Sequence, residues 1–302
     1  MSERREPGIA DMIGHSLLGG IPASRRSFPS SEPLLADTGF TPRASTTVDR
    51  EHAALLAATL DVAPELLDSG ELPIPWHWAC FVPNVPTAEL GPDGHPRRRP
   101  DMAAYPQRMW VGGRVRVSHP LRIGDVAERT SHLATTELKE GSTGRFWLVT
   151  VAHTITQDGQ VGVVEEQDLV LRAPSGAAAP GPDAREPPDA DWVEERTADP
   201  ALLFRYSALT FNTHRIHYDE PYATHVEGYP GLVVQGPLTA TLLADLARRR
   251  VSAPVRALAF RARVPLFANE RFWLTGDPTE AGADLAAIRG DGRAAMTLTA
   301  TF

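Results

Sequence analysis

The residues best suited to chemistry stand in two short stretches. His217 closes the polar run His214-Arg215-Ile216-His217-Tyr218-Asp219, and Gly236-Pro237 follows nineteen residues later, ahead of a helical segment. An imidazole takes up and returns a proton near neutral pH, as hydration or elimination requires. A Gly-Pro helix start presents backbone N–H groups and the positive end of the helix dipole, a setting for developing negative charge. Together they suit acid–base chemistry on an activated carbonyl compound. Each also has a plainer reading: the polar run as a surface loop, and Gly236-Pro237 as an ordinary helix start.

The neighbours extend both readings. Asn212 could orient a water or a carbonyl through its amide, or cap a turn. Asp219 could assist His217. His214 and His217 have the spacing of a metal pair on a helix, but no third ligand falls at a convincing distance, and Tyr206 to Phe211 reads as a strand. No metal site is expected. Arg205, Arg215 and Arg97-Arg98-Arg99 could meet the phosphates of a nucleotide-bearing thioester, or form solvated faces. Trp76, His77 and Trp78 either line an acyl pocket or fill the core, with core filling preferred.

The chain must supply elements to hold these groups. Its 302 residues, 42% hydrophobic, suffice for two domains or for one built from two similar halves. A net charge of −8 argues against a nucleic-acid surface. Lys139 is the only lysine, which leaves little room for Schiff-base chemistry. The single cysteine, Cys80, lies among aromatic residues and reads as a buried thiol. No apolar run reaches the ~18 residues of a membrane span, and no secretory leader is evident, so a cytoplasmic protein is expected.

Residues 1–45, rich in Ser, Pro, Gly and Arg, read as a poorly ordered lead-in. Val48 to Asp61 has a helical apolar face, with Thr47 available as cap. Leu72 to Pro106 is a proline-broken excursion of the kind that often carries function. Strands are expected from Arg108 to Val117, Asp125 to Glu137, Phe146 to Gln157 and Val161 to Arg172. Gly141 to Gly144 and Asp158-Gly159 form the turns. After an Ala/Gly/Pro-rich linker the plan repeats: a helix from Pro237 to Arg250, then strands at 255–265, 271–278, 284–289 and 294–302. Pro120-Leu121 with Asp125 echoes Pro265-Leu266 with Glu270, a hint of duplication. The expectation is α+β, a helix on an antiparallel sheet made twice, with halves at 46–173 and 195–302 and a linker at 174–194.

Arg205 to Asp219, together with Glu227 to Leu238, closely resembles the MaoC-like hydratase superfamily. The match is nearest its hydroxyacyl-thioester dehydratase type 2 and mesaconyl-CoA hydratase branch. Ala57 to Asp61, Pro75-Trp76-His77-Trp78 and Pro106 to Val117 extend the resemblance through the first half. It implies a double hot-dog fold, each half wrapping a sheet around a long helix. It implies (R)-specific hydration of 2-enoyl thioesters, with CoA or phosphopantetheine only as part of the substrate and no metal or redox cofactor. In the wider family's Asp-x-Asn-Pro-x-His motif, Asn212 falls at the Asp position, His214 at Asn, Arg215 at Pro and His217 at His. An amide cannot serve as the second base, so His217, helped by Asp219, would carry the proton. Gly236 matches the oxyanion-donor glycine, and Gln235 stands where some relatives carry His. Arg205, Arg215, Tyr218, Gln235, Trp76 and Trp78 are then expected against the substrate. The partner would be an acyl-CoA or acyl-carrier-protein thioester, and a homodimer is expected. Two alternatives remain open: a tailoring enzyme on carrier-bound chains, working by dehydration or conjugate addition, and a non-catalytic thioester-binding subunit.

Overall fold

The structure is a computed structural model that describes residues 35, 38, 40–98, 102, 104–141, 144–173 and 186–302. Most of the expected lead-in, the tip of the Gly141–Gly144 turn, Arg99 and linker residues 174–185 lie outside the described residues.

In the first half, strand β1 (Arg43–Thr47) leads into helix α1 (Arg50–Thr59), followed by β2 (Gln107–Val117), β3 (Val126–Gly141), β4 (Gly144–Gln157) and β5 (Gln160–Arg172). The second half carries β6 (Trp192–Thr197), α2 (Pro200–Thr210), α3 (Glu220–His225) and α4 (Gly236–Arg250). It ends with β7 (Ala257–Ala262), β8 (Arg271–Thr279), β9 (Gly282–Arg289) and β10 (Ala294–Thr301). The strands form one ten-stranded antiparallel sheet in the order β1-β3-β4-β5-β2-β7-β10-β9-β8-β6. Reading outward from the β2–β7 pair, each half repeats the other's order. This is a double hot-dog. The Asp158-Gly159 turn has both residues at positive φ, 50° and 76°, the backbone a two-residue hairpin needs.

The duplication reaches into the loops. β1 runs into Thr47-Val48-Asp49 and β6 into Thr197-Ala198-Asp199. Each aspartate caps the helix that follows, accepting from the N–H of His52 (2.6 Å) and of Leu202 (2.7 Å). Such a cap contributes about 1 kcal/mol. Thr47, expected as the cap, is the last residue of β1. Gly124 (φ 96°) and Asn269 (φ 62°) are equivalent turn residues: Gly124 donates to the Val48 carbonyl and Asn269 to that of Ala198. Likewise the Leu72 N–H meets the Leu121 carbonyl (2.7 Å) as the Val234 N–H meets that of Leu266 (2.9 Å). Ile74-Pro75 is therefore the first-half counterpart of Gly236-Pro237.

From that shared point the halves diverge. After Gly236-Pro237 comes α4, in which every residue from Leu238 to Ala247 is buried. A helix apolar on nearly all sides belongs inside a wrapped sheet. After Pro75 the chain makes only one 3₁₀ turn, Trp76–Ala79, and leaves. One long helix per half was expected; among the described residues the first half has α1 but no counterpart of α4. The place of such a helix against β3, β4 and β5 holds described residues of the Leu72–Pro106 excursion, among them Trp78, Phe81 and Met102, and a cavity.

Three further expectations change. Tyr206 to Phe211 is the end of α2, not a strand, because Leu203, Tyr206, Ser207 and Thr210 follow helical spacing behind the Asp199 cap and Pro200. β1 begins within the expected lead-in, and β6 within the expected linker. Among the described residues no helix is long and apolar enough to cross a membrane.

Candidate active site

The cavity, about 570 Å³, opens between the halves. Trp78 and Trp110 line it from the first half; Asn212, His214, His217 and Gly236 line it from the second. His217 ends the 3₁₀ turn Arg215–His217 and is buried. Its Nδ1 lies 2.7 Å from the Val233 carbonyl oxygen. A carbonyl can only accept, so Nδ1 carries the hydrogen and Nε2 keeps its lone pair. Burial pulls the His217 pKa down to about 4, although the Val233 carbonyl pulls the other way. The ring is thus neutral at pH 7, with one basic nitrogen.

The same residue ties His217 to the helix start. Val233 also donates its N–H to Ile216 (2.9 Å), and three residues later α4 begins. No described residue accepts from the Gly236 N–H, which is one of the orphan donors of a helix N-terminus. A Cβ at Gly236 would come 2.7 Å from Trp110 Cε3, so glycine is what lets the indole sit against the backbone there. Trp110 stacks on Phe260 (centroids 4.6 Å apart) and donates to Gln167 (3.2 Å).

Asn212 follows Phe211, the left-handed C-cap of α2. Its Oδ1 accepts from the His214 N–H (3.1 Å), which leaves the amide nitrogen as the donor available to a ligand. A first-half loop braces this segment. The Asp93 carbonyl accepts the Arg215 N–H (2.9 Å), and the Gly94 carbonyl accepts the Thr213 hydroxyl. Gly94 has φ 86°, and any Cβ there would overlap the Thr213 carbonyl.

Other expected residues are placed away from the substrate space. Asp219 caps α3 through the Tyr222 N–H (3.1 Å) and binds Arg215 through both Nε and Nη2, so it stands outside the cavity wall. Arg215 is occupied by that pair and by the Pro92 carbonyl. Tyr218 is exposed and donates to the Thr213 carbonyl (3.1 Å). Arg205 is exposed on α2. Gln235 is wholly buried and braces α4 against α2 through Leu203 O and Ser207 Oγ, both at 2.9 Å. Trp76 belongs to the core, whereas Trp78 reaches the cavity.

Two features had no expectation attached. Glu165 is buried in the cavity wall and accepts from His77 Nε2 (2.9 Å), Trp78 Nε1 (2.7 Å) and Gln167 Nε2 (2.7 Å). Burial opposes its ionisation, but the His77 hydrogen bond and charge hold it down at about 2. Asp93, His95 and His214 bring ligand atoms within 4.8 Å of one another, a set that could hold a metal. Arg98 lies 3.8 Å from the Asp93 carboxylate, and Arg108 adds positive charge near His95, a setting hostile to a cation.

Burial also pulls His153 down to about 4, and His95 and His214 well below the usual imidazole range. A depressed folded-state pKa means that the unfolded chain binds protons first. Stability is complete above pH 6.5 and is lost as pH falls through 6.5 towards 4. His217 and His153 would each contribute on the order of 3 kcal/mol to that loss. Thermal unfolding between pH 7.5 and 4.5 should show Tm falling steeply below 6.5; a flat profile would contradict neutral buried imidazoles.

A family model described as hydroxyacyl-thioester dehydratase type 2 matches residues 75–268. The chain belongs to that family. It sits in the MaoC-like hydratase/dehydratase branch, and its activity is that of a hydro-lyase on acyl thioesters. It is 43% identical over 276 residues to a mesaconyl-C(4)-CoA hydratase of Chloroflexus aurantiacus, covering 89% of this chain and 98% of that one. Identity is 25% over 248 residues to the mitochondrial hydroxyacyl-thioester dehydratase type 2 of Schizosaccharomyces pombe, covering 72% and 80%. The fold is shared with HtdX of Mycobacterium tuberculosis (TM-score 0.65, 18% identity, 86% and 99% covered). It is shared also with a MaoC-like dehydratase of Phytophthora capsici (TM-score 0.65, 12% identity, 87% and 95% covered).

Proposed function

We propose that this family member hydrates a short 2-enoyl-CoA, with His217 as base and the Gly236 N–H as oxyanion donor. The observation that carries the reading is their presence on one cavity wall, coupled through Val233. His217 Nε2 takes a proton from water as the oxygen bonds to Cβ. Electron density moves from the double bond onto the thioester oxygen. There the Gly236 N–H and the α4 dipole stabilise it, a donor of this kind contributing ~3 kcal/mol. The proton then passes from the imidazolium to Cα, so water adds as hydroxyl and hydrogen across one double bond. An imidazolium disfavoured by burial gives up that proton readily. The Asn212 amide holds the water, and one base serves both proton transfers. No metal or redox cofactor takes part.

A CoA thioester is favoured over a carrier-bound one by the strong similarity to the mesaconyl-C(4)-CoA hydratase. Arg263, exposed at the cavity wall, is better placed than Arg205 for the CoA phosphates. Crotonyl- and mesaconyl-C(4)-CoA should both be hydrated in preference to dodecenoyl-CoA, with an (R)-3-hydroxyacyl product where that centre forms. Loss of enoyl absorbance and chiral analysis of the product check this. Tight binding with no turnover across the panel would favour a non-catalytic thioester-binding protein instead.

A further inference from the structure

Resting on that reading of the cavity, we propose that Arg129 receives a free carboxylate at the far end of the acyl group. Arg129 would then be the residue that distinguishes mesaconyl-C(4)-CoA, which keeps one free carboxylate, from the monocarboxylic members of the panel above.

Arg129 projects from β3 on the face left uncovered by the missing helix, directly across from Ile155 of β4, and both line the cavity. Its residue exposure is only 9%. Yet among the described residues it forms no ion pair: Nη1 makes one long contact, 3.4 Å to the Phe81 carbonyl, and the buried Nε has no partner. The rings of Phe81 (5.0 Å) and Phe40 (5.3 Å) hold the guanidinium in place without neutralising it. The carboxylate on the same wall, Glu165, acts on Arg129 through its charge, but its oxygens already receive hydrogen bonds from His77, Trp78 and Gln167 and none from the guanidinium. Elsewhere the fold completes such sites, as where buried Arg289 meets Asp291 at 2.8 Å.

Taking an unpaired cation out of water is strongly unfavourable, so buried charges are normally paired. An arginine fork left open in a cavity wall matches a carboxylate with two parallel N–H···O bonds. The acceptor that the open N–H groups lack is then supplied by the ligand.

The test is binding of unreactive saturated pairs, matched in chain length, to the full chain by calorimetry: succinyl-CoA against butyryl-CoA, and suberyl-CoA against octanoyl-CoA. At one length or the other the carboxylated member should bind about 100-fold tighter, and Arg129→Gln should bring that ratio close to one. Arg129→Lys, which keeps the charge without the fork, should retain part of it and serves if the glutamine variant does not fold. Equal binding within both pairs, or a preference that survives Arg129→Gln, would overturn the proposal. Because no double bond is present, the outcome is independent of turnover. Failure of hydration with the preference intact would count against the hydratase reading alone. In steady state, the fumaryl-CoA to crotonyl-CoA ratio of kcat/KM should fall with Arg129→Gln.

Discussion

His217→Ala is expected to lower kcat for enoyl-CoA hydration by about 10³-fold or more while leaving the protein folded. His217 gives its Nδ1 hydrogen to Val233 and keeps a single basic nitrogen for the cavity. Asn212 stands in place of a carboxylate, and an amide cannot share the proton. The pH profile is the sharper measurement. The neutral ring is the active form, so kcat/KM should stay level from pH 8 down to about 5. It should fall only as pH approaches about 4, where His217 protonates. An inflection near 6.5, the ordinary imidazole value, would mean a hydrated histidine and a different base. Turnover within tenfold of the parent protein in His217→Ala would remove it from the chemistry altogether.

The sequence made some parts of this molecule readable and hid others for physical reasons. Most strands show because alternating side chains must divide between two faces, and Asp158-Gly159 shows because few dipeptides adopt its backbone. α4 is legible from Gly236-Pro237 and its leucines. α2 reads wrongly when Tyr206 to Phe211 is taken by itself, since a short apolar run has no period of its own. The Asp199-Pro200 start, repeated from Asp49, carries the correction. Around the site, nearness in sequence misleads wherever a tight turn reverses direction. His217 faces the cavity, whereas Tyr218 and Asp219, its next neighbours, face solvent and the α3 cap. Gln235 and Gly236 divide in the same way, brace and donor. Arg129, Glu165 and Trp110 could not be foreseen, because their meaning depends on an absent helix. Strand periodicity alone would put Trp110 on the opposite face, because β2 shifts register between Trp110 and Gly112, and only the fold shows that the shared face borders a cavity.

Gly236→Ala should reduce kcat/KM by about 10²-fold, although the substitution keeps the N–H. The added methyl would stand 2.7 Å from Trp110 Cε3, too close for contact. Trp110 cannot yield easily: Phe260 stacks on one side, Trp78 meets it edge-on with centroids 5.6 Å apart, and Gln167 holds the indole nitrogen. The helix start must therefore move, and a displaced donor loses charge stabilisation that depends on placement within tenths of an ångström. Combining Gly236→Ala with Trp110→Leu separates this cause from general damage. Removing the indole frees the space, so the double variant should recover at least tenfold over Gly236→Ala, a coupling that independent sites would not show. Strictly additive losses would mean that Trp110 does not set the position of the amide. Near-full activity in Gly236→Ala would mean that the thioester oxygen lies elsewhere.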